Sequence, residues 1–260
     1  MALATGNCLV LKPAEDAPLA VLKLMELAAD IFPPGVFNVV TGLGEEAGAA
    51  LAAHPGISKI SFTGSSEVGK LVAHSAADRI ANVTLELGGK SPCVIFPDAC
   101  TPERLDATAQ GVVNAMRFAR QGQSCTAGSR LFVHKSVWDD LMPLVAEKSA
   151  AMTVGDALDE DSDIGAVVNA ELYGEICAYV AEAEAQGATF LTGETPKATD
   201  KGFHPIPTIL TGLDNSWRIA REEVFGPVLV AIPWEDEVDM VEQSQQAIAT
   251  RYSGGQCPSA

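Results

Sequence analysis

Apolar and polar positions along this chain follow two rhythms that take turns. Short runs rich in β-branched and large apolar side chains suit strands, and stretches where apolar residues return every three or four positions suit helices. NCLVLK (7–12) is the first strand, stopped by Pro13. Leu19, Leu22, Leu24, Leu27 and Ile31 then take helical spacing until Pro33-Pro34-Gly35 ends the segment. VFNVV (36–40) is a second strand, followed by a turn and short helix in TGLGEEAGAALAAH. ISKISF (57–62) is a third strand, with a Gly-Ser turn and the helix EVGKLVAHSAADRI behind it. NVTLEL (82–87) closes the run against Gly88-Gly89.

The alternation continues with longer helices. PCVIF (92–96) and RLFVHK (130–135) read as strands around a helix over 102–119. Helices are expected over 136–151 and 168–186, the second carrying Leu172, Ile176, Val180 and Ala183. ATFLTG, PIPTIL and PVLVAIP supply the later strands. Strand and helix alternating through short connections predicts an α/β fold of right-handed βαβ units on parallel sheet. Paired glycines permit backbone geometry that other residues resist, so Gly88-Gly89 is the expected hinge. It separates residues 1–87 from 88–241, and 242–260 forms a tail. Both ends stand out: Met1 leads almost directly into a strand, and ATRYSGGQCPSA stops without a terminating element. Frayed termini explain this, and so does a truncated chain.

Composition narrows the function classes. The chain has 260 residues and is 47% hydrophobic, which suits a packed globular protein rather than a disordered one. Its 34 acidic against 17 basic side chains give a formal charge of -17. That balance argues against nucleic acid and against an anionic membrane surface. No apolar run has the roughly 18 residues that a membrane span needs. The N-terminus lacks the basic region and unbroken apolar stretch of a signal peptide. Six cysteines without CxxC spacing fit a reduced, cytoplasmic protein better than a disulfide framework or a zinc site, and no metal is expected.

Five positions attract chemical attention. Cys125 sits among small and polar residues, Gln121-Gly122-Gln123-Ser124-Cys125-Thr126-Ala127-Gly128, between a helix and a strand. A loop of that kind leaves sulfur accessible and lets backbone N–H groups approach it, as a nucleophilic thiol requires. A buried small hydrophobe is the plainer alternative. Glu86 ends a strand on its more polar face, where ligand crevices of parallel sheets open and a partly desolvated carboxylate serves as a base. Taken alone, an ordinary solvated glutamate is the plainer reading. Gly64-Ser65 opens a helix whose N-terminal N–H groups suit a phosphate, or simply a capped helix start. The turn Gly42-Leu43-Gly44-Glu45-Glu46-Ala47 matches a dinucleotide fingerprint formally, but two carboxylates in the following turn oppose a pyrophosphate. Lys12 and Glu15, three residues apart after the first strand, could grip two ribose hydroxyls or form a surface ion pair.

Taken in order, LKPAE, FTGSSEVG, LELGGKSP, GQSC with AGSR, and REEVFGPV resemble the NAD(P)-dependent aldehyde dehydrogenase family, from about residue 2 to about residue 240. The resemblance implies a partial Rossmann-like cofactor domain over 1–87 and an α/β catalytic domain over 88–241. It implies that Cys125 is the nucleophile, forming a thiohemiacetal and then a thioester, and that Glu86 activates the hydrolytic water. It implies that Lys12 and Glu15 hold the adenine ribose, that Gly64 and Ser65 lie at the pyrophosphate, and that Leu87 and Gly88 sit beside the nicotinamide. Glu223 and Phe225 are implied to contact the nicotinamide ribose and ring. Glu15 points to NAD over NADP, because a carboxylate repels a 2′-phosphate. The substrate implied is a small-molecule aldehyde.

Family members carry a longer N-terminal region, including an oligomerisation segment and an asparagine that completes the oxyanion hole. No residue here matches that asparagine, and the tail from 242 keeps only a trace of the family's ending. The chain is therefore expected to be truncated, weakly active or inactive, and prone to aggregate through uncovered strand edges and helix faces. A non-catalytic remnant that binds nucleotide or a full-length subunit is the second reading. A related acyl-phosphate reductase is the third, and it has no use for a hydrolytic Glu86.

Overall fold

Residues 1–197 and 202–253 are described in this computed structural model, with side chains to residue 246. Contacts divide the chain into two compact units, Met1–Leu87 and Gly88 onward.

In the first unit, β1 (Leu9–Leu11) pairs with β2 (Phe37–Val39), and β3 (Lys59–Gly64) pairs with β4 (Asn82–Leu87). Both pairs are parallel, so each needs a crossover. Helix α1 (Leu19–Leu27) supplies the first and α3 (Ser66–Ala77) the second. Between the pairs, a π-helical turn at Gly44–Gly48 runs into the short helix α2 (Ala49–Ala53). No ladder joins the two pairs, so this unit holds two separate two-stranded sheets rather than one continuous sheet. Arg79 is its main clasp: its guanidinium donates to the carbonyls of Ser75 (2.8 Å), Ala52 (2.5 Å) and Ile57 (3.3 Å).

Burial in this unit is sparse. Only Pro13, Gly69, Val72 and Ala76 are buried. The apolar stripe that marked α1 in the sequence has nothing to pack on: Leu19, Leu24 and Leu27 are 77%, 57% and 69% exposed. Periodicity found the helix, and the packing that normally rewards such periodicity is absent.

The second unit has a core of its own. Strands β5 (Pro92–Ile95), β6 (Arg130–His134), β7 (Thr189–Thr192), β8 (Thr208–Thr211) and β9 (Val228–Trp234) form one sheet in the order β5-β6-β9-β8-β7. Alternate residues face opposite layers. Leu131, Val133, Ile209, Leu229 and Ala231 pack with α4 (Leu105–Ala115) and α5 (Lys135–Ala150). Phe132, Leu210, Val228, Val230 and Ile232 pack with α6 (Ala170–Ala185) and the short α7 (Arg218–Arg221). The result is a three-layer sandwich, which explains why these strands read as nearly continuous apolar runs.

Two departures from the sequence pattern have physical causes. β7 is antiparallel to β8, because the described residues between those strands form no helix and a parallel connection needs one. The helix expected over 102–119 ends at Ala115, since Arg117 takes a left-handed conformation (φ 61°) before a 3-10 turn at Phe118–Arg120. Helix α8 (Glu237–Ser253) follows β9. Residues 254–260, with Cys257, lie outside the described residues.

Candidate active site

The thiol loop is built by backbone that only a few residues tolerate. Arg117, Gln121 and Gly122 all adopt positive φ (61°, 55° and 65°), folding the chain tightly between α4 and β6. Gly122 lies against the Gly226 carbonyl so closely that a Cβ there would collide with it. Gln123 accepts the Val168 N–H at 3.0 Å, and the Ser124 and Thr126 hydroxyls meet at 3.1 Å. At the loop's crest Cys125 is exposed. Its backbone N–H has no acceptor among the described residues.

The other described thiols are less favourably placed. Burial pushes Cys93 above the ordinary thiol range, and burial followed by Asp140 and Asp98 does the same to Cys100. Cys177 is buried on α6, and Cys8 is exposed beside β1.

Two further segments converge on the loop. Gly89 touches the Cys125 carbonyl so tightly that no side chain fits between them. The same glycine donates its N–H to Glu223 Oε1 at 2.8 Å. Glu223, Phe225 and Gly226 form a turn in which Phe225 holds φ at 55°, an uncommon conformation for an aromatic residue, and its ring is partly exposed. That turn is braced from α6. The Arg218 guanidinium stacks over the Tyr179 ring at 4.2 Å and pairs with Glu182 (3.0 Å) and Glu222 (2.9 Å). The Tyr179 hydroxyl donates to Glu222 at 2.6 Å; burial first, then Glu222, push it up to about 12. Within the second unit, then, Gly89, Cys125 and the Glu223–Phe225 turn form one constellation.

The first unit assembles its own group of candidates. Lys12 Nζ meets Glu15 at 2.9 Å, and the other oxygen of Glu15 accepts the Gly44 N–H at 3.1 Å. The Lys12 hydrogen bond, followed by the backbone donors, lowers the Glu15 carboxyl to about 2. Ser65 caps α3, accepting the Val68 N–H at 3.2 Å. Gly64 lies under the Phe62 ring, where a Cβ would meet it at 2.5 Å. The β3–β4 register sets Glu86 opposite Thr63 and Leu87 opposite Gly64, so the carboxylate stands at the C-terminal strand ends beside the Ser65 turn. Glu86 is exposed, while Leu87 points the other way and packs against Gly69 of α3.

A cavity of about 550 Å³ opens elsewhere in the second unit, lined by Gln110, Asn114, Arg117, Arg120, Lys148 and Asp163. Cys125 does not line it, so the thiol reading draws nothing from it. Among the described residues no cluster of three or more His, Cys, Asp or Glu side chains could hold a metal ion. No described helix is long and apolar enough to cross a membrane.

Sequence reasoning passed over several parts of this arrangement. Gly44, set aside as a phosphate turn, supports Glu15 instead. Arg130 and Asn215, buried partners at 2.6 Å, carried no motif signal beyond the final arginine of AGSR.

The model of the aldehyde dehydrogenase family matches residues 1–249. Hydroxyisobutyraldehyde dehydrogenase of Mycolicibacterium austroafricanum is 44% identical over 92% of this chain and 47% of its own length. Phenylacetaldehyde dehydrogenase of Pseudomonas fluorescens is 39% identical over 95% of this chain and 49% of its own length. The NAD+ complex structure of aldehyde dehydrogenase from Bacillus cereus superposes with a TM-score of 0.86 at 37% identity, covering 94% of this chain and 49% of that one. The chain spans about half the length of the curated relatives it matches.

Proposed function

From the premise that this chain belongs to the aldehyde dehydrogenase family, whose members are NAD(P)-dependent oxidoreductases, we propose that it carries the thiol chemistry of aldehyde oxidation to a carboxylic acid. One observation carries the proposal: an exposed Cys125 at the crest of a strained loop, with its own N–H unbonded. The thiolate adds to the aldehyde carbonyl carbon, and the Cys125 N–H donates to the oxyanion that forms. Once that carbon has been oxidised, the adduct is a thioester. Glu86 takes a proton from water, the resulting hydroxide adds to the thioester carbonyl, and the acid leaves as the thiolate is regenerated.

The first unit fits a dinucleotide. Gly64 and Ser65 present a helix N-terminus to a pyrophosphate, and Lys12 with Glu15 offers a cation and a carboxylate to ribose hydroxyls. Glu15, ionised through the whole neutral range, favours NAD over the 2′-phosphate of NADP. Leu87, Gly88, Glu223 and Phe225 would hold the nicotinamide end. What the dinucleotide supplies is a hydride acceptor.

The test is mass spectrometry of the chain incubated with NAD and an aldehyde. An acyl adduct on Cys125 that persists in Glu86→Gln is expected, and its absence from both proteins overturns the proposal. A second reading, a chain that binds nucleotide or a full-length subunit without turning over, draws support from the four buried residues of the first unit. A cytoplasmic location belongs with these proposals.

A further inference from the structure

Arg130 begins β6, five residues after Cys125, and is fully buried. A cation in that position normally has a carboxylate beside it. Arg130 has none among the described residues and is surrounded by neutral oxygens instead. One terminal nitrogen donates to Asn215 Oδ1 (2.6 Å) and to the Gln243 carbonyl (3.1 Å). The other donates to the Ser244 carbonyl (2.7 Å) and reaches the Lys90 carbonyl at 3.4 Å. Nε has no acceptor, and the guanidinium carbon lies 5.3 Å from the Phe132 ring centroid. Asn215 completes the lock by donating to the Gln243 carbonyl at 2.8 Å.

Desolvation lowers the Arg130 guanidinium to about 10, so it remains charged at neutral pH. An apolar side chain would fill this space with less desolvation. What the planar fork supplies is geometry: several N–H vectors in fixed directions, reaching two carbonyls of α8, the side-chain oxygen of Asn215 and the Lys90 carbonyl. They tie together α8, the loop after β8, and the Lys90–Ser91 segment, whose Ser91 carbonyl also accepts the Arg130 main-chain N–H at 3.4 Å. One residue upstream, Gly89 is pressed against the Cys125 carbonyl and bonded to Glu223.

We infer that Arg130 is the positioning residue of the thiol loop: its buried fork and its main-chain N–H hold the Lys90–Ser91 backbone next to Gly89, and that backbone fixes where Cys125 and Glu223 stand relative to each other. The inference rests on the reading of Cys125 as nucleophile. Gly122, locked against Gly226, anchors the loop upstream, and Arg130 anchors it downstream. Arg130 touches no reacting atom itself.

The test is competitive alkylation of the full chain by iodoacetamide, each cysteine followed separately by mass spectrometry. Exposed Cys8 serves as the reference thiol, and buried Cys177 reports loss of the fold. In the unaltered chain Cys125 is expected to react faster than Cys8; if it does not, the nucleophile reading fails on its own. In Arg130→Lys, which keeps the charge and loses the fork, the Cys125 rate is expected to fall about tenfold while Cys177 stays protected. In the milder Asn215→Ala, which removes one acceptor, a fall of about threefold is expected. An unchanged Cys125 rate in either variant with Cys177 protected overturns the inference. So does a change in which Cys125 and Cys177 move together, since that reports a general structural role.

Discussion

Glu15 is the clearest case of a single residue whose surroundings set its chemistry. Lys12 on one oxygen and the Gly44 N–H on the other hold its carboxyl at about 2 against an ordinary 4.5. A carboxyl lowered by folding stabilises the folded form above its unfolded value and loses that contribution as pH falls through the folded one. The Lys12–Glu15–Gly44 arrangement should therefore hold above pH 4.5 and come apart as pH approaches 2. A side-chain carboxyl titration by NMR is expected to place the Glu15 midpoint near the lower value; a midpoint near 4.5 would show that the pair does not persist in solution. In Glu15→Gln that acid-side dependence should vanish, and affinity for NAD should fall. Residues like these stood out in the sequence as candidates because their chemistry is distinctive and local: a thiol among small polar residues, a carboxylate closing a strand, a Lys-x-x-Glu after a strand. The left-handed backbones of Arg117, Gln121 and Phe225 did not stand out: they are imposed by tertiary contacts, and nothing in the residue types announces them.

Helix α3 shows what an element adds to its residues. Its Ser65 cap satisfies the Val68 N–H and fixes the direction in which the remaining N-terminal N–H groups point. Ser65→Ala is expected to destabilise the helix by about 1 kcal/mol, with Ser65→Gly costing only a few tenths. If Ser65 also meets a phosphate, Ser65→Ala should weaken NAD binding by more than the stability loss accounts for, whereas equal losses would confine Ser65 to capping. Calorimetric binding and thermal melting on the same samples separate the two outcomes. β4 was legible to its last residue, because NVTLEL alternates cleanly and stops at two glycines. The ending of α4 was hidden, since the residues that stop it are neither glycine nor proline. The antiparallel β7 was hidden for another reason: alternation reports which residues face a core and is silent on strand direction.

For the whole molecule, the two units differ in how much water they exclude. The second buries a core on both faces of its sheet, with Leu131, Phe132, Val133, Ile209, Leu210 and Leu229 fully buried. The first spreads 87 residues over two separate strand pairs and buries four of them. Two-stranded sheets are marginal in water unless a third strand or a packed helix covers them, and the exposed α1 leucines show that this cover is missing. Hydrogen exchange should register the contrast. Amides of β6 and β9, central in the sheet, should exchange slowest and through global unfolding. Those of β1 and β2 should exchange through local opening, about 10³-fold faster or more if the two opening free energies differ by some 4 kcal/mol. Equal protection in both units of a dilute, monodisperse sample would contradict this account. Protection of β1 and β2 that grows with protein concentration has a different meaning: a second copy is covering the apolar face of α1, and the strand pairs of the first unit hold their fold only when that face is covered.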